Sequence, residues 1–194
     1  MNLWLVVGLG NPGPTYASHR HNVGFLVVEE LARRLDTRFA APRGMRAEVA
    51  EARLGLPGTD APRLALVKSR TFMNESGSPV TKLLNFYKVA LDHLVVIHDE
   101  LDIDPGQLRV KFGGGDNGHN GLRSIRASLG TGDFYRVRVG VGRPPGRQDP
   151  ADYLLSNFSA GQRQDLALEV SRAADAVESL VQVGLERTQS AFNS

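Results

Sequence analysis

No cysteine occurs among the 194 residues, which excludes disulfides, thiolate zinc sites and a cysteine nucleophile. No uninterrupted apolar run approaches membrane-spanning length, and no charged-then-apolar leader opens the chain. The expectation is a cytoplasmic protein with no membrane partner. An excess of charge of one sign is also missing. The 23 Lys and Arg against 21 Asp and Glu leave a net +2, too little to argue for nucleic acid without a clustered basic face. There is no G-x-S-x-G elbow for a serine nucleophile and no H-E-x-x-H pair for a metal. No internal repeat or low-complexity tract is found. What remains is an ordinary globular composition, 41% hydrophobic, in a length that suits one domain with a substantial core.

Strand and helix signals interleave. Leu3–Val7 reads as a buried strand, and Val23–Leu35 carries a helical apolar stripe. Glu48–Leu54 and Leu64–Lys68 are strand candidates joined by a turn. Ser78-Pro79 reads as a helix start, serine capping and proline in the first turn, with the helix running to about Tyr87. Leu94–Ile97, Gln107–Phe112 and Tyr135–Val141 are further strands, and Leu122–Leu129 is a helix stopped by Gly130. A short helix is expected near Ala151–Leu155. Ser159 and Gln162 form a capping box that opens a helix to about Arg187. The class is α/β: a single domain over residues 1–194 with a mixed, largely parallel twisted sheet flanked by helices.

Polar clusters follow three of the strands: Asn11 after the first, "RTFMNESG" after Leu64–Lys68, and "HDELD" after Leu94–Ile97. In open α/β sheets ligands bind outside the carboxyl ends of strands, so these clusters are expected to converge. Gly8, Gly10 and Gly13 spell G-x-G-x-x-G, but no helix opens at Gly13 and no acidic residue ends a second strand about 20 positions on. Asn-Pro-Gly reads instead as a tight turn. His19 and His21 in "HRHN" lack zinc-ligand spacing. A carboxylate at the end of the Leu94–Ile97 strand could fix the tautomer of a histidine and leave its other nitrogen as a base. Asp99, Glu100 and Asp102 compete for that role. Lys111, with Arg109 on its own strand and Arg136 and Arg138 on another, could form a phosphate-binding face beside the loop "GGGDNGHNG". Ser76 reads as helix entry and not as a nucleophile.

Taken in order, "VGLGNPG", "RHNVG", "TFMNESG", "HDELD", "GHNGLRSI" and "FYRVRVGVGRP" resemble the bacterial peptidyl-tRNA hydrolases over nearly the whole chain. The resemblance implies hydrolysis of the ester between peptide and tRNA, which recycles tRNA from aborted translation, in a cytoplasmic monomer with no cofactor and no metal. It implies His21 as general base, Asp99 as its orienting partner, and Asn11 as the residue that separates blocked from free aminoacyl groups. Asn74 and Asn120 would hold substrate and the attacking water. Tyr16 and Phe72 would line the site of the tRNA end, and Lys111 and Arg138 would grip a tRNA phosphate. Asp116-Asn117 stands where the resemblance leads one to expect glycine or histidine. Two other classes compete: an RNA-binding relative that works as a scaffold, and an esterase or amidase for small N-acyl compounds. The basic residues argue against the second, and the full set of catalytic positions against the first.

Overall fold

The computed structural model describes residues 2–56 and 58–193. Six strands form one sheet: β1 (Leu3–Gly8), β2 (Ala47–Arg53), β3 (Arg63–Ser69), β4 (Leu94–Glu100), β5 (Leu108–Phe112) and β6 (Tyr135–Gly140), in the order β2-β3-β1-β4-β6-β5. The four inner strands are parallel, and β2 and β5 close the two edges antiparallel. The mixed, largely parallel sheet expected from the sequence is therefore observed.

Both faces of the sheet are covered, which is why its inner strands read as continuous apolar runs. Trp4, Val6, Leu64, Leu66, Val95 and Ile97 pack against α1 (Val23–Arg34) and α5 (Ala160–Val183). Leu5, Val7, Ala65, Val67, Leu94 and Val96 pack against α2 (Gly77–Tyr87) and α3 (Asn120–Leu129). A single turn of helix, α4 (Pro150–Leu154), precedes α5, and α6 (Leu185–Phe192) follows it. On the β5 edge, the Asn193 carboxamide oxygen accepts from the Val110 amide at 2.8 Å, covering an otherwise open strand.

Three sequence readings are corrected. Ser78 does not cap α2: the helix begins at Gly77, whose amide donates to the Ser124 hydroxyl at 2.9 Å, so a neighbouring helix supplies the acceptor. The final helix does not run to Arg187. Gly184, with φ 90°, breaks it into α5 and α6. Asp99 does not lie beyond its strand, because β4 continues through it to Glu100, every residue buried.

After β1 the chain runs out to the edge strand β2, comes back as β3 beside β1, and then lays β4 on the other side of β1. The crevice between the carboxyl ends of β1 and β4 is thus the switch point of the sheet. Two glycines let α1 sit directly on it. A Cβ at Gly8 would lie 2.2 Å from the Gly24 carbonyl oxygen, and one at Gly24 would lie 2.4 Å from the Ile97 carbonyl oxygen. Gly24→Ala is expected to push α1 off the sheet and cost about 1–3 kcal/mol, the usual range for overpacking. A urea unfolding midpoint equal to wild type would refute this.

Candidate active site

The turn Arg20–Asn22 leads straight into α1 and is clamped at each residue. The buried Arg20 guanidinium donates to the Ser156 hydroxyl at 2.6 Å and to the Gln162 side-chain oxygen at 2.9 Å, and lies 3.9 Å from the Tyr153 ring centre. It ties the turn to α4 and α5. Asn22 accepts from the Asn11 amide at 2.9 Å and donates back to the Asn11 carbonyl at 2.8 Å, locking the two segments together. Between them sits His21, 6% exposed.

His21 Nδ1 lies 2.8 Å from Asp99 Oδ2. A second histidine, His119, places Nε2 2.8 Å from Asp99 Oδ1. The tautomer of His119 follows from its place at the start of α3. Its Nδ1 accepts from the amides of Gly121 at 3.1 Å and Leu122 at 3.3 Å, so its hydrogen is on Nε2 and is donated to Asp99. Burial pushes the Asp99 carboxyl up, but His21, then His119, outweigh it and hold the group well below the usual carboxylate range. Ionised Asp99 accepts from both rings. His21 therefore carries its hydrogen on Nδ1 and leaves Nε2 as a lone-pair base. Burial lowers the His21 pKa, yet the Asp99 charge and hydrogen bond exceed that effect and the net shift is upward. His98, fully buried next door, donates Nδ1–H to the Asp99 carbonyl and is pushed down to about 3 by burial and by His119, so it stays neutral.

Asp99 is thus the carboxylate that meets His21. Glu100 faces Arg138, with Oε1 accepting from Nη2 at 2.9 Å, and Asp102 accepts from Arg143 Nε at 2.7 Å. His21, Asp99 and His119 are also the one group among the described residues whose ligand atoms lie close enough for a cation, all within 4.8 Å. The facing nitrogens are engaged in the hydrogen bonds just given. His19, the other member of "HRHN", is not in the group and packs edge-on to Tyr16 instead.

A cavity of about 300 Å³ opens beside the pair, lined by Asn11, His21, Asn74, His119 and Asn120 together with Met73, Leu101, Leu154 and Leu155. Asn11 Oδ1 accepts from the Met73 amide at 2.7 Å, so the side chain has its NH₂ left to offer a ligand. Asn11 also borders a larger cleft of about 710 Å³ that includes Lys68, Arg70, Glu29 and Glu48. Tyr16 and Phe72 meet edge to face at 6.0 Å, Phe72 being 52% exposed, and form an aromatic ridge outside the smaller cavity. The three expected asparagines, Asn11, Asn74 and Asn120, therefore converge with His21 and Asp99. Lys111 and Arg138 stand apart from them, on β5 and β6.

Arg136 departs from the expected phosphate-binding face. It is 1% exposed. It donates to the carbonyls of Gly114 at 2.7 Å and Gly132 at 3.0 Å, and also to that of Gly115. Burial, then Arg126 and Arg138, push it down to about 10. It pins the glycine loop and offers no free charge. Sequence reasoning also missed Arg20, Asn22 and His119 as organisers of the site. All three stand beside residues it singled out, and only their partners reveal what they do.

The sequence profile described as peptidyl-tRNA hydrolase matches residues 5–194. The peptidyl-tRNA hydrolase of Cutibacterium acnes is 56% identical over 98% of both chains. That of Streptomyces coelicolor is 59% identical over 98% of this chain and 95% of its own. A crystal structure of peptidyl-tRNA hydrolase from Acinetobacter baumannii superposes with a TM-score of 0.87 at 34% identity, covering all of this chain and 95% of the other.

Proposed function

This chain belongs to the peptidyl-tRNA hydrolase family, enzymes that hydrolyse an ester bond, and from that premise we propose that it cleaves the ester of peptidyl-tRNA with a water activated by His21. The observation that carries the mechanism is the His21–Asp99–His119 geometry, which leaves one lone pair, on His21 Nε2, beside a cavity lined by amides. A water on that nitrogen gives up its proton as its oxygen attacks the ester carbonyl. The 3′ oxygen of the tRNA then leaves, and the proton returns to it from the imidazolium that Asp99 stabilises. Asn74 and Asn120 are placed to orient the water and to donate to the developing oxyanion. An aminoacyl ester is already activated, so neither a covalent nucleophile nor a metal is needed. No helix among the described residues is long and apolar enough to cross a membrane, and we place the protein in the cytoplasm as a monomer that recycles tRNA from aborted translation. Hydrolysis of N-acetyl-aminoacyl-tRNA by the purified protein tests the reading. It is expected with and without EDTA, and its absence would overturn the assignment.

The pH dependence follows from the direction of the His21 shift. Only the neutral ring accepts a proton, so kcat/KM falls as pH drops through the His21 pKa. Because that pKa is raised from the ordinary 6.5, the acid limb is expected to have its midpoint above 6.5. A midpoint below it would mean that Asp99 does not act on His21 as described.

Lys111 and Arg138 support a tRNA grip away from the ester. Lys111 lies opposite Arg136, and Arg109 opposite Arg138, on one face of the β5–β6 ladder. Burial, then the Arg138 and Arg136 charges, lower the Lys111 pKa. Lys111→Ala and Arg138→Ala are each expected to raise KM for tRNA substrates and to flatten its salt dependence by about one unit of slope. Equal losses on N-acetyl-aminoacyl-adenosine, which has no phosphate, would assign them to fold or chemistry instead.

A further inference from the structure

Arg143 lies in "GRPP" after β6, and its side chain is 59% exposed. Its contact with Asp102 engages Nε, which leaves the two terminal nitrogens of the guanidinium to other acceptors. Asp102 is not an isolated partner. The Asn117 carboxamide nitrogen donates both to Asp102 Oδ2 at 2.8 Å and to Glu100 Oε2 at 2.9 Å. The remaining oxygen of Glu100 holds Arg138 at 2.9 Å. One amide therefore joins two carboxylates, and each carboxylate carries one arginine. Asn117 does this from a left-handed backbone, φ 48°, which an asparagine tolerates. It also stands two residues before His119, which bonds Asp99.

From this network we infer that Arg143 is a further phosphate-binding residue of the tRNA grip, and that Asn117 is the positioning residue that sets Arg143 and Arg138 side by side. The inference rests on the reading of the protein as a peptidyl-tRNA hydrolase. The chemistry fits a backbone phosphate: a planar guanidinium with one edge fixed by a carboxylate presents its other N–H groups already oriented, at little further entropic cost. The network is continuous in charge as well as in contact. The Asp102 carboxyl is held down by its bonds to Arg143 and Asn117 and by the charge of Arg138, and Glu100 acts in turn on Arg143. Without Asn117 the two carboxylates would face each other with no shared donor, and each arginine would lose a fixed partner.

The test compares tRNA with a substrate that has no phosphate. Arg143→Ala is expected to raise KM for N-acetyl-aminoacyl-tRNA several-fold at low salt and to flatten its salt dependence by about one unit of slope, while N-acetyl-aminoacyl-adenosine is turned over nearly as before. Arg187→Ala, on α6, controls for loss of any surface charge and should change neither. Asn117→Gly keeps the left-handed backbone and removes the amide. It should raise KM for the tRNA substrate with the salt slope retained, because every cation remains, and Asn117→Asp should raise it further by adding a third carboxylate. A merely structural role for Asn117 would instead lower kcat on both substrates, and that result would overturn its assignment. An unchanged KM and slope for Arg143→Ala would overturn the phosphate site. Binding of uncharged tRNA, read by fluorescence anisotropy across a salt series, reports on the same two residues without turnover. A protein that binds tRNA in this way but leaves the blocked ester intact would sink the enzymatic reading and not this one.

Discussion

His21→Ala is expected to lower kcat on N-acetyl-aminoacyl-tRNA by about 10²–10⁴-fold, the contribution of a positioned general base, while binding of uncharged tRNA stays near wild type. The separation is expected because His21 lines the smaller cavity, whereas Lys111 and Arg138 lie on β5 and β6. A variant that keeps more than about a tenth of wild-type kcat would fall far short of that contribution and would remove His21 from the mechanism. The partner variant, Asp99→Asn, looks milder from sequence alone, since it keeps the size of the side chain and removes only a charge. The geometry argues otherwise. His119 can only donate to residue 99, because its Nδ1 is engaged in capping α3. An asparagine there must turn its oxygen to His119 and its NH₂ to His21 Nδ1. His21 would then accept at Nδ1 and carry its hydrogen on Nε2, the wrong tautomer for a base. Asp99→Asn is therefore expected to approach the loss seen for His21→Ala. Adding His119→Ala frees the amide to rotate and should restore part of the activity. A double variant no better than Asp99→Asn would show that the tautomer is not what the carboxylate controls.

Asn11→Asp is expected to narrow the preference for blocked over free aminoacyl-tRNA by about a hundredfold, which corresponds to roughly 2.8 kcal/mol at about 1.4 kcal/mol per tenfold. The oxygen of the Asn11 carboxamide is already taken by the Met73 amide at 2.7 Å, so the group turned to substrate is the NH₂. A peptide carbonyl accepts from it. An ammonium meets a donor there, sheds water and gains no anion, which costs several kcal/mol. Aspartate at position 11 can keep the Met73 contact with one oxygen and present the other to substrate. The blocked substrate then loses its donor, and the free one gains an ion pair. Asn11→Ala removes the donor without that rescue and leaves the Met73 amide unpaired, so kcat/KM should fall on the blocked substrate alone. The measurement is kcat/KM on both substrates for the three proteins. An unchanged ratio in both variants would mean that Asn11 only shapes its turn.

Much of this molecule is written in short stretches of sequence. Leu3–Val7 and Leu94–Ile97 are unbroken apolar runs that have nowhere to go but the middle of a covered sheet. The "RHNVG", "HDELD" and "GHNG" blocks sit at strand ends or helix starts because those are the places where side chains can reach a ligand. The capping box at Ser159 is equally local, and the structure shows both of its hydrogen bonds. Other features depended on residues far apart in the chain. Nothing local made Gly77 the start of α2, since its acceptor is Ser124 on another helix. Arg136 and Arg138 look alike in "YRVRV", but one is buried against the carbonyls of Gly114, Gly115 and Gly132 and the other pairs with Glu100. Asp99 and Glu100 are adjacent and equally acidic. Strand alternation sends them to opposite faces of β4, and the close approach of α1 at Gly24 brings His21 to only one of them. Residue types and their order along the chain were thus enough for the class of fold and the family of chemistry. Which histidine nitrogen keeps a lone pair, which carboxylate meets His21 and which arginine is buried were set by packing across the sheet, because a hydrogen-bond partner is chosen by distance in space and not by separation in sequence.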